Sequence, residues 1–198
     1  MITTHVFQRT RNLLKVFEEC GLEPTTGVEV GVKLGKNALG LLQELPKLKL
    51  LLVDPYTDIQ SNKDGELVVK DMKGVKTKAF KWLERYQDRI EWSLRPSIQA
   101  SVIPASFVTA FDTPVFDFVF IDGAHDYENV KADIEAWLPR VRIGGVLAGH
   151  DFAPGYGGVK QAVRELFGNK FKKNLDVWFI QITEEMKCQT NIFDDGKS

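Results

Sequence analysis

Two runs in the chain, residues 48–53 (LKLLLV) and 115–121 (VFDFVFI), are almost unbroken in apolar side chains, and each is followed at once by an aspartate, Asp54 and Asp122. Both are strand-sized and far too short to span a bilayer. Neither shows the in–out alternation of a strand with one wet face. A strand that is apolar on both sides needs a sheet covered on both sides, and such sheets are parallel, with helical connections.

The remaining segments supply those connections. Residues 5–20 carry Val6, Leu13, Leu14, Val16 and Phe17 at roughly helical spacing, and Gly21 follows as a stop. The β-branched run 26–32 predicts a strand. Residues 36–45 predict a helix closed by Pro46, residues 56–65 a loop, and 66–88 one helix or two around Gly74. A strand is expected at 89–94 and a short helix at 97–110. An amphipathic helix is expected at 126–138, with Val130, Ile134, Trp137 and Leu138 on one side. After a turn at Gly144-Gly145 come a strand at 146–148 and a helix at 157–167. Strands at 177–182 and 190–193, joined by a turn at 183–187, end the chain. Repeated strand–helix alternation predicts an α/β fold with helices on both faces of a mostly parallel sheet.

With 198 residues, one domain is expected over 1–198: an N-terminal helix in 1–22, a core in 26–167 and a terminal hairpin in 175–194. The net charge of −1 gives no support to a nucleic-acid footprint. Two distant cysteines, Cys20 and Cys188, form no metal or disulfide framework. The N-terminus has no apolar leader and no stretch suits a membrane, so a cytoplasmic, non-membrane protein is expected.

In an open parallel sheet, ligands bind beyond the carboxyl ends of the strands. The first strand ends in EVGVKLGKN (29–37), whose glycines are spaced GxxxG rather than GxGxxG. Such a turn lets a ligand approach the backbone, and the following helix offers its amides to a carboxylate; a plain tight turn fits equally well. The second strand ends in Asp54, 23 positions after Gly31, a spacing that favours a ribose-binding acid over a cap of the turn at Pro55. The fourth ends in DGAHDY (122–127), where Asp126 is the natural helix cap and Asp122 lies too far upstream for that role. The fifth ends in Gly149-His150-Asp151. Two of the three histidines and two carboxylates thus converge on one sheet edge, a mixed O and N donor set suited to a metal.

VEVGVKLGKNA, LLLVDPY and above all FDFVFIDGAHDYENVKADIEAWLPRVRIGGVLAGHDF resemble a class I S-adenosylmethionine (SAM)-dependent methyltransferase of the methyltransferase domain 24 branch, over about residues 26–167. The resemblance implies a Rossmann-like seven-stranded sheet with a C-terminal β-hairpin. It implies SAM as cofactor, held by Glu29, Val30, Gly31, Gly35, Asn37, Asp54, Pro55, Tyr56, Ser97 and Asp122. Of these, Asp54 takes the ribose hydroxyls, Tyr56 and Ser97 the adenine, and Asp122 the amino end.

Catechol- and caffeoyl-CoA-type O-methyltransferases are a sister group that uses a divalent metal. Set against their pattern, Asp122, His150 and Asp151 become the metal ligands. His125 stands where that group has its lysine and is the expected general base, with Asp122 beside it. An imidazole among the ligands suits manganese or another transition metal better than magnesium. The expected reaction is O-methylation of a small-molecule hydroxyl. The alternatives are a non-catalytic SAM- or nucleotide-binding partner protein and an NAD or nucleotide-sugar enzyme, the last disfavoured by the missing GxGxxG. Residues 63–89, with eight Lys or Arg and five Asp or Glu, predict a solvated helical face. PGYGG (154–158) reads equally as a gate or a plain loop. No motif specifies the acceptor or the oligomeric state.

Overall fold

The computed structural model describes residues 7–61, 67–69, 71–102 and 115–190. The elements are α1 (Gln8–Glu19), β1 (Thr26–Val30), α2 (Lys36–Glu44), β2 (Lys49–Val53), β3 (Ile59–Ser61), β4 (Leu67–Val69), α3 (Met72–Leu83), β5 (Ile90–Ser93), α4 (Ser97–Ser101), β6 (Phe116–Ile121), α5 (Tyr127–Trp137), β7 (Val141–Gly149), α6 (Gly157–Phe167), β8 (Lys172–Asn174), β9 (Val177–Gln181) and α7 (Glu184–Thr190).

Seven strands form one sheet in the order β5-β2-β1-β6-β7-β9-β8. The first five run parallel, and β9 is antiparallel to both β7 and β8. The apolar runs are buried on both faces because their side chains alternate between two cores. Leu50, Leu52, Phe118 and Phe120 join Leu13, Val16 and Phe17 of α1 and Leu41 and Leu42 of α2. Leu51, Val53, Val119 and Ile121 join Val130, Ile134 and Trp137 of α5 and Val159, Val163 and Phe167 of α6. Burying a side chain of this kind stabilises the fold by about 1.5–3 kcal/mol.

The polar residue inside the second run, Asp117, is satisfied rather than wet. Its carboxylate accepts from the Thr25 and Thr26 amides at 2.7 and 2.9 Å and from Arg142 Nε at 2.6 Å. Burial pushes its pKa up, but Arg142 and the threonine donors outweigh it and hold the carboxyl below its usual range.

Four expectations about elements change. Residues 56–65 are not all loop: β3 pairs with β4 in a separate two-stranded ribbon. The helix expected from residue 66 starts only at Met72, because LVV (67–69) is strand-forming and Asp71 caps α3 by accepting from the Lys73 amide. The expected turn at Gly144-Gly145 lies inside the nine-residue β7. Its pairing with β6 shifts register there, and Gly144 has φ +77°.

The terminal hairpin exists, but its strands are β8 and β9, turned at Leu175-Asp176 with Leu175 at φ +56°. Residues 184–190, expected as turn and strand start, form α7, with the Thr183 carbonyl accepting from the Lys187 amide. Of the strand expected at 190–193, residues 191–193 lie outside the described residues, as do 103–110 of the helix expected at 97–110.

The chain steps outward from β1 to β2 and β5, then returns to place β6 on the other side of β1. This reversal opens a crevice beyond the carboxyl ends of β1 and β6.

Candidate functional site

On the β1–β2 side, backbone donors organise the carboxylates. Gly31 ends β1 at φ +87°, and a Cβ there would collide with the Asp122 carbonyl. Only glycine lets the two strand ends approach this closely. Asp54 is 5 % exposed. Its Oδ2 accepts from the Lys33 amide and its Oδ1 from the Tyr56 amide, both at 2.8 Å. Asp54 therefore ties the glycine loop to its own turn, and a carboxylate's remaining lone pairs are what it has to offer a ribose. Burial raises its pKa against those donors.

Several expected cofactor residues have prior commitments. The Tyr56 ring is buried near Trp92 at a centroid distance of 6.2 Å, and its hydroxyl donates to the Lys33 carbonyl at 2.9 Å. Pro55 is exposed between Asp54 and Tyr56. Val30 packs in the core, and its carbonyl accepts from the Asp122 amide. Ser97 opens α4, but its hydroxyl accepts from Trp137 Nε1 at 2.8 Å and bonds the buried Asp133.

Glu29 is the least comfortable group on this side. It is 1 % exposed, and its Oε2 has no hydrogen-bond partner. Burial, followed by the nearby Asp122 charge, pushes its pKa up to about 8, against Arg9 and Asn37. Asn37 Oδ1 accepts from the Thr10 hydroxyl at 3.0 Å. Gly35, at φ +71°, precedes α2 without any side-chain cap.

The β6–β7 side is built from charges. His125 Nε2 lies 2.8 Å from Asp151 Oδ2. His150 Nδ1 lies 2.8 Å from Asp151 Oδ1 and 3.6 Å from Asp122 Oδ1, though without hydrogen-bond alignment, and its Nε2 is 3.0 Å from Asp176 Oδ2. Asp151 adopts φ +61°, a strained conformation for a non-glycine residue, right where β7 ends. Burial pushes Asp151 up, but His125 and His150 reverse it and hold the carboxyl well below its usual range. Burial lowers His150, yet Asp151 and Asp122 leave it raised. Burial dominates Asp122 and lifts it to about 6, against Arg9 and His150.

Donor atoms of Asp122, His125 and Asp151 lie within 4.8 Å of one another. His125 thus joins a metal-capable group with Asp122 and Asp151, while His150 faces the same two carboxylates through Nδ1 and Asp176 through Nε2. Two carboxylates and an imidazole fit a divalent transition metal.

Three further residues reach this edge without having been expected. Arg9 of α1 donates to Asp122 Oδ2. Asp176, in the β8–β9 turn, also accepts from Asn12 Nδ2 at 3.0 Å, so α1 is tied to the hairpin. Tyr156 packs edge-on to His125 at 5.3 Å. Thr10 and Asn12 are polar residues on the buried side of an amphipathic helix, with Arg9 beside them, and polar residues on that side were their one sequence signal.

A family model described as a methyltransferase domain matches residues 28–152. No curated protein matches the sequence. Among solved structures, CalS11, a calicheamicin methyltransferase, aligns with TM-score 0.64 and 15 % identity over 89 % of this chain and 80 % of that one. An O-methyltransferase from Bacillus cereus in complex with SAH aligns at 0.57 and 16 %, covering 91 % and 84 %. MycE, in complex with Mg, SAH and mycinamycin VI, aligns at 0.52 and 15 %, covering 86 % of this chain and 48 % of that one. At these identities the likeness is one of fold. Among the described residues no helix is long and apolar enough to cross a membrane.

Proposed function

Because the chain belongs to this methyltransferase-domain family, we propose that it transfers the methyl group of SAM to a hydroxyl of a small molecule, with His125 as general base. The observation that carries this reading is the His125–Asp151 pair at 2.8 Å, set beside the glycine turn at the carboxyl ends of β1 and β6.

Glu29, Gly31, Gly35, Asn37 and Asp122 surround the methionine end, and Asp54 offers its free lone pairs to the ribose. Ser97 and Tyr56, whose hydroxyls are committed within the protein, contribute to the adenine side through backbone and ring. When bound, SAM supplies an electrophilic methyl group.

The Asp151 contact keeps a proton on His125 Nε2, leaving Nδ1 as the basic nitrogen. Nδ1 takes the acceptor's hydroxyl proton, and Asp151 steadies the imidazolium that results. Asp122, His150 and Asp151, a set that leaves His125 free to handle the proton, would hold a divalent ion, which when bound would supply Lewis acidity toward the acceptor oxygen. The named O-methyltransferases among the structural neighbours favour a hydroxyl acceptor such as a sugar or phenol.

His125→Ala is expected to lower turnover by about 10²–10⁴-fold at saturating SAM. Near-full turnover would remove the base assignment. For the metal, Mn²⁺ should raise the melting temperature of the wild type and not of Asp122→Asn; an equal response would remove that site.

A further inference from the structure

α1 takes no part in the function above, yet it brings a guanidinium to the donor end of the crevice. Arg9 spends one terminal nitrogen on Asp122 Oδ2, while its Nε is buried without a partner. Glu29 Oε2, an acceptor that feels the Arg9 charge, is likewise buried and unpartnered. A buried polar atom without a partner is rare in a native fold and calls for one. Here an unmatched donor and an unmatched acceptor flank the same strand end. The nine-residue α2 opens next to them at Gly35 with no side-chain cap, so its first amides add positive potential.

A ligand that satisfies all three features carries an ammonium for Glu29 and a carboxylate for Arg9 and the helix start. That is the head group of an α-amino acid. A guanidinium edge made of Nε and a terminal nitrogen matches the two oxygens of a carboxylate, a geometry that a lysine ammonium does not offer.

We infer that Arg9 is a donor-binding residue: its Nε edge clasps the carboxylate of the methionine moiety of SAM, opposite Glu29 at the ammonium. This rests on the SAM reading above and adds α1 to the donor site. Asp122 holds the guanidinium in place through its other nitrogen, and Thr10, the next residue of α1, fixes Asn37 beside Glu29. α1 is then both a wall of the core and a specificity element for an amino-acid-bearing nucleoside.

The test compares S-adenosylhomocysteine with its decarboxylated analogue, which keeps the amine and the adenosine, by calorimetric titration of the full chain. The wild type should prefer S-adenosylhomocysteine by roughly tenfold or more, the scale of a charge-assisted hydrogen bond. Arg9→Gln should erase that preference, read as the ratio of its own affinities for the two ligands. A preference that survives in Arg9→Gln, or a wild type that shows none, overturns the assignment. Should Arg9→Gln bind neither ligand, Arg9→Lys decides: a reduced preference supports the two-nitrogen clasp, and an undiminished one overturns it. A wild type that binds neither ligand overturns the donor reading itself, and this inference with it.

Discussion

The two halves of the crevice are held in opposite ways. On the β1–β2 side, Asp54 is fixed by main-chain amides and Gly31 by a close approach of backbone to backbone. On the β6–β7 side, Asp122, His125, His150 and Asp151 are fixed by one another and by Arg9 and Asp176. Backbone donors do not titrate, and side-chain ions do. The loop geometry of the first half therefore rests mainly on backbone contacts, around the buried carboxyls Glu29 and Asp54. The second is a charge cluster whose state depends on protons, on metal and on what α1 brings. A site that binds one donor and performs chemistry on a separate acceptor gains from such a division.

Substitutions on the two sides should separate the two functions. The largest effect is expected from Asp151→Asn, which weakens the acceptor that orients both imidazoles. Turnover should fall by about 10²–10⁴-fold, with S-adenosylhomocysteine affinity unchanged. A matching loss of affinity in calorimetry would merge the halves. Next comes Gly31→Ala. Its Cβ meets the Asp122 carbonyl at a positive φ, so a stability loss of about 1–3 kcal/mol in denaturant titration, together with weakened donor binding, is expected. Wild-type stability would show that the strand ends separate easily.

Part of this was legible before the structure and part was not. Residues 48–53 and 115–121 became β2 and β6 because unbroken apolar runs have few other uses, and Asp54 and Asp122 followed from where those strands end. The helical caps Asp71 and Asp126 are local and obey spacing; only Asp126 was read as one. What escaped depends on contacts distant in sequence. Arg9 meets Asp122 across 113 positions, and Asn12 meets Asp176 across 164. β8 escaped for another reason: KKN at a sheet edge carries no apolar period, because an edge strand with exposed faces needs none. The contact of His150 Nε2 with Asp176 escaped likewise, because the hairpin supplies Asp176 and no local pattern announces it.

Glu29 offers a pH test that belongs to the β1–β2 side. Its folded pKa of about 8 lies above the ordinary 4.5, so the native state keeps a proton that the unfolded chain has released. This contribution to stability is fully present below about pH 4.5 and is lost as pH rises through about 8. Thermal melts of the ligand-free protein should therefore lose stability across that window, and Glu29→Gln should flatten the slope. A slope identical to wild type would mean that Glu29 is ionised throughout. The smallest effect is expected at the hairpin. Asp176→Ala removes partners of His150 and Asn12, but the side chain is partly exposed, so roughly 1 kcal/mol or less should appear in a denaturant titration. A larger loss would give the β8–β9 turn a greater share in holding the cluster.

The most direct test of the whole account is one calorimetric series: S-adenosylhomocysteine titrated into wild type, Asp54→Ala and His125→Ala. The account predicts binding by the wild type, a loss of about 1.5–3 kcal/mol in Asp54→Ala, and wild-type affinity in His125→Ala. No binding by the wild type, or equal weakening in both variants, would contradict it.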